Sequence, residues 1–120
     1  MSAKIKSFLR TEKQAQESSH GGEGPVDLYE IWDKSDFASR IDFIDRVVVP
    51  PGSTVGTHTH GNNEEMYVVL AGRGTMTIEG ETVPVEMGDM ILNPAHGTHG
   101  LVNDSDSDID LLVVQIGLAG

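Results

Sequence analysis

No cysteine occurs in the 120 residues. That excludes a disulfide framework and a thiolate metal site. No apolar run approaches the roughly 20 residues that a membrane-spanning helix needs. The first ten residues are basic, but the long apolar core of a secretory signal does not follow them, so a cytoplasmic location is expected. Cations are scarce as well. Seven of the eight Lys and Arg precede Val47, and beyond it Arg73 stands alone against ten acids. A nucleic-acid partner is therefore not expected, because phosphate binding needs a basic patch. The same scarcity leaves no Arg/Lys clamp for a phosphorylated substrate after Val47. The net charge of −11 reads as a solubility feature.

What is present suits one β-rich domain. The length supports a single core, and 14 glycines suit a fold with many tight turns. Residues 1–24 form a polar N-terminal arm, within which Ile5, Phe8 and Leu9 have the spacing of a short helix. A Gly-rich break at 20–25 separates the arm from the domain at 25–120, and His20 reads there as an ordinary loop residue. Strands are predicted at 26–32, 40–49, 54–59, 65–70, 75–78, 82–85, 90–92, 100–103 and 109–116, separated by Gly, Pro, Asn and Asp turns. Many short strands without a long helix point to an all-β sandwich or barrel.

Chemistry concentrates between Gly52 and Asn103. His58 and His60 are two apart, so a strand aims both imidazoles at one face. Glu64 or Glu65 opens the next apolar run. Two ring nitrogens and a carboxylate suit a borderline divalent cation. The spacing runs Gly52, five residues, His58-x-His60, four residues, Glu65, six residues, Gly72. A second block has Gly88, Pro94, His96, His99 and Asn103.

Together these blocks resemble the two motifs of the cupin superfamily, with His96 in a slot where that family usually has glycine. The resemblance implies a double-stranded β-helix (a jelly-roll barrel), and a metal held by His58, His60, Glu65 and His99. It selects Glu65 over Glu64 by the six-residue spacer to Gly72 and implies a homodimer. An octahedral ion with four such ligands keeps two open positions for water, dioxygen or a bidentate substrate. Fe(II) and Mn(II) fit best, while Zn, Ni, Co and Cu also accept these donors.

The expected function is metal-dependent chemistry on a small organic substrate, of dioxygenase, isomerase, decarboxylase or lyase type. His96 and Tyr67 are the candidate acid–base groups. The alternatives are a binding module that captures a carboxylate or sugar without turnover, and an auxiliary protein. Tyr67, Val69, Met76, Ile78, Met90, Leu92, Leu101 and Leu111 are the expected walls of core and pocket.

Overall fold

Inward and outward residues alternate along most of this chain, and two sheets close over the inward row. In the computed structural model, which describes residues 3–118, the strands are β1 (Gln14–Glu17), β2 (Pro25–Asp33), β3 (Ile41–Val49), β4 (Thr54–Thr59), β5 (Asn63–Ala71), β6 (Arg73–Ile78), β7 (Glu81–Glu86), β8 (Met90–Asn93), β9 (Thr98–Val102) and β10 (Ile109–Gly117). Short 3-10 helices lie at Ser19–Gly21 and Lys34–Asp36. One sheet runs β1-β2-β3-β10-β5-β8 and the other β4-β9-β6-β7. All the pairings are antiparallel. This is the all-β jelly-roll barrel that the motifs imply.

The core lies between the sheets. Val49, Val69, Met76, Leu101, Ile109 and Leu111 are essentially inaccessible. Their burial supplies most of the stability, at roughly 1.5–3 kcal/mol for each large apolar side chain. Asn103 closes the mesh beneath them. Its buried amide donates to the carbonyls of Val49 at 2.8 Å and Ser107 at 2.7 Å, and its carbonyl accepts from Ser105.

Register corrects part of the expected wall. Tyr67 faces inward and pairs with Ile91, while Met66 pairs with Leu92. A strand's period of two then sends Ile91 and Asn93 inside and Met90 and Leu92 outside. Met90 is 67% exposed and Leu92 55%, so neither lines a pocket. In β2 a register shift between Glu30 and Trp32 lets both Val26 and Ile31 face the core. That shift explains the imperfect alternation of its sequence.

The arm is more ordered than its composition suggests. Residues 8–10 form a turn, not the helix that Ile5, Phe8 and Leu9 suggested. Lys6 donates to the Ile31 carbonyl at 2.9 Å and stands 4.6 Å from the Trp32 ring centre. Arg46, paired through two nitrogens with Asp110 at 2.8 and 2.7 Å, lies beside the rings of Phe8 and Tyr29. These cation–ring contacts hold a segment that has little apolar surface of its own to bury. β1 then adds to the edge of β2.

Candidate metal centre

A bulge in β4 places the first two histidines. Thr54 and Val55 pair with Val102 and Leu101, but His58 pairs with His99, so Gly56 and Thr57 share the space opposite Gly100. Val55 is buried, and strict alternation would turn Thr57 and Thr59 inward with it. The extra residue shifts the phase, so Thr57 and Thr59 are exposed and His58 and His60 point in. Glycine is required at 56, because a Cβ there would strike the backbone of His20–Gly22 packed against the bulge.

His99 comes from β9 in the same sheet, and Glu65 approaches from β5 in the other sheet. One ligand atom from each of His58, His60, Glu65 and His99 lies within 4.8 Å of all the others. Glu65 Oε1 is 3.5 Å from His60 Nε2 and 3.3 Å from His99 Nε2. Glu64, one residue earlier, does not join the cluster.

The rings are oriented from behind. His58 Nδ1 is 2.8 Å from the Gly56 carbonyl, and His60 Nδ1 is 2.7 Å from Asn63 Oδ1. A bond from Nδ1–H to either oxygen leaves Nε2 as a bare lone pair aimed at the centre, the tautomer that a metal needs. Among the described residues, buried His60 Nε2 has no hydrogen-bond partner. A buried polar atom left this way costs roughly 1–3 kcal/mol, and a bound cation would remove that cost. Burial, together with His20, His99 and His60, lowers the pKa of His58 against the raising effect of the Gly56 carbonyl. The ring is therefore biased toward its neutral, ligating form. The residues thus fit a divalent ion.

Tyr67 is buried, with its hydroxyl 3.3 Å from His99 Nε2. Burial and then the Glu65 carboxylate push its pKa well above the usual tyrosine value, so it remains a neutral phenol. His96 is exposed in the turn between β8 and β9, with φ 59°. Its backbone N–H bonds the Gly61 carbonyl at 3.0 Å, and its side chain is outside the cluster.

Two residues were not anticipated. His20 is no ordinary loop residue: its ring stacks on His58 at 3.7 Å between centres. The sequence carried no sign of this, because the approach of residues 20–22 to Gly56 is tertiary. Asp45 lines the chamber beside the metal cluster, together with His20, Glu65 and Tyr67. Its signal was available, since it occupies the inward phase of Phe43, Asp45, Val47 and Val49 in an otherwise apolar row.

The chamber is small, about 160 Å³, against the roughly 300–1,000 Å³ of pockets for drug-sized ligands. Gln16, Ser19 and His20 from the arm cover it, and Leu28, Val47, Val55, Leu111 and Val113 form apolar walls. Among the described residues, no Lys or Arg lines it.

Known proteins resemble this chain in sequence and fold. A family model described as a cupin domain matches residues 45–115. An oxalate-binding protein of Thermotoga maritima is 31% identical over 96 residues, covering 80% of this chain and 79% of that protein. A crystal structure from Thermotoga maritima, described as a predicted oxalate decarboxylase, superposes with a TM-score of 0.93 at 27% identity, covering 96% of this chain and all of that one. The polyketide cyclase RemF of Streptomyces resistomycificus superposes with a TM-score of 0.78 at 23% identity over 96% of this chain and 80% of its own. That last likeness speaks for the fold alone.

Proposed function

Because the chain belongs to the cupin-domain family, we propose that His58, His60, Glu65 and His99 hold one divalent transition metal and that the adjoining chamber receives a small carboxylate of the oxalate type. The observation that carries this reading is the convergence of four donor atoms within 4.8 Å of one another, with two rings tied at Nδ1 so that Nε2 is free. Three neutral nitrogens and one carboxylate would leave a +2 ion with residual positive charge. When bound, the metal would supply that charge and open positions for a chelating carboxylate. Fe(II) and Mn(II) suit the donor set best.

The protein's part is to position the ligand and exclude water. Leu111, Val113 and Val47 supply apolar walls, and a low-dielectric wall strengthens each electrostatic contact beside it. Tyr67 holds its phenolic proton next to His99 and acts as a positioning group at the ligand cluster. The likeness to an oxalate-binding protein and to a predicted oxalate decarboxylase supports oxalate as the ligand class. Of the reaction types expected from sequence, decarboxylation is the one that likeness favours.

The test is metal content by plasma mass spectrometry, followed by calorimetric titration of the loaded protein with oxalate. Near one metal per chain, lost in a His58→Ala/His60→Ala double variant, together with metal-dependent oxalate binding, is the expected result. Absence of metal after reconstitution with each candidate ion would overturn the reading. Formate and carbon dioxide released from oxalate would establish a decarboxylase, and binding without release would establish a capture module.

A homodimer is the accompanying proposal. Exposed Met90 and Leu92 on edge strand β8 extend the half-buried outward row of Met66 and Val68 on β5. An apolar edge of this kind is normally covered. Sedimentation equilibrium should give twice the chain mass, and Met90→Asp/Leu92→Asp should reduce it to one chain.

A further inference from the structure

The chamber contains a carboxyl group that is not a metal ligand. Asp45 sits on β3 with its pair partner Val113 on β10, and Val113 pairs in turn with Tyr67 on β5. These three residues form one inward row across three strands, and Glu65 is two residues from Tyr67 on the same face. Asp45 thus faces the chamber from the same sheet as the β5 residues that flank the metal cluster, two strands away from them. It also lines an adjoining surface groove with Phe43, Trp32 and Lys34, so it stands where the chamber reaches solvent.

We propose, resting on the metal–carboxylate reading above, that Asp45 sets the charge of the ligand the chamber accepts. A chelating diacid directs its metal-bound oxygens toward the histidines and its remaining oxygens away from them, into the space that Asp45 faces. No lysine or arginine lines that space among the described residues. Ionised, Asp45 repels a dianion there. Protonated, it donates a hydrogen bond to it.

The surroundings favour the protonated form. Burial first, then Glu30 and Glu65, raise the Asp45 carboxyl to about 7, against a lowering contribution from the Ile31 backbone. The charged and titratable groups around it are Glu30 on β2, directly opposite in register, Glu65 and Tyr67 on β5, and His20 from the 3-10 helix. Asp33, Lys34 and Asp42 stand on the groove side. β10 contributes apolar Leu111 and Val113. Across pH 6 to 8.5 the chamber therefore changes from a donor site to an anionic one.

The test is calorimetric titration of oxalate into the Mn(II)-loaded full chain at pH 6, 7 and 8.5, for the native protein, Asp45→Asn and Asp45→Ser, with metal content measured at each pH. Native affinity should fall by roughly tenfold or more between pH 6 and 8.5. Both variants should bind with little change over that range and more tightly than native at pH 8.5. Parallel pH profiles in native and variant proteins would overturn the assignment while leaving the metal–carboxylate reading intact. Absence of oxalate binding by the fully loaded native protein would overturn that reading and this inference with it. The serine variant keeps the test open if the asparagine variant does not fold.

Discussion

Replacing Gly56 with alanine decides whether the arm is part of the site. Elsewhere, Gly→Ala at a compatible backbone position stabilises by roughly 0.4–1 kcal/mol through the unfolded chain. Here the added Cβ would meet the His20 carbonyl and the backbone of Gly21 and Gly22. These are backbone atoms, which do not swing aside as a side chain does, so the 3-10 helix must lift off β4. Two bonds depend on its seat, Thr54 N–H to Glu23 O at 2.8 Å and Glu23 N–H to Thr54 Oγ1 at 2.7 Å. Each contributes about 1 kcal/mol. The His20–His58 stack at 3.7 Å adds about 0.5–1.5 kcal/mol. Offsetting the entropic gain against these losses leaves a net cost of about 2 kcal/mol, or roughly 6–10 °C in Tm for a domain of this size. Urea unfolding followed by circular dichroism should show a lower midpoint at unchanged slope. A Gly56→Ala protein as stable as native, or more so, would refute the claim that the arm is seated on the bulge.

Three further outcomes are expected. Asn103→Ala strands the buried Val49 and Ser107 carbonyls and should cost about 2–4 kcal/mol by denaturant unfolding. Stripping the metal with a chelator should lower Tm by roughly 10 °C when the free metal stands about 100-fold above its Kd, and the His58→Ala/His60→Ala protein should show no such shift. Asp45 sets a pH dependence of stability. Its folded pKa, about 7, lies above the ordinary aspartate value of 3.8, so the folded state binds the extra proton and stability falls as pH rises from about 4 through 7. Asp45→Asn should therefore be more stable than native at pH 8 by roughly 1–2 kcal/mol. That is less than the full shift would give, because the carboxyl is half-exposed and screened. At pH 4 the two proteins should be equally stable.

Much of the molecule could be read along the chain, because it depends on local periodicity. Alternating apolar residues and turn glycines located nine of the strands, and the motif spacers singled out Glu65 from Glu64. The buried Glu65, Tyr67, Val69 row of β5 follows from period two alone. The reading failed where phase depends on a partner strand. Met90 and Leu92 look like core residues in sequence, but pairing with Val68 and Met66 turns them out.

By itself, then, the sequence determined an all-β domain, since short-range spacing dictates which side chains share a strand face, and its resemblance to the cupin motifs implied the four residues that gather at its centre. Only the tertiary structure decided how they are aimed and what surrounds them. The bulge at Gly56 reverses the phase of β4, so that His58 and His60 face His99. The arm folds back to place His20 on His58, and closure of β3 beside β10 brings Asp45 to the chamber. Each is a contact between residues far apart in the chain, and neither periodicity nor composition carries the register that forms it.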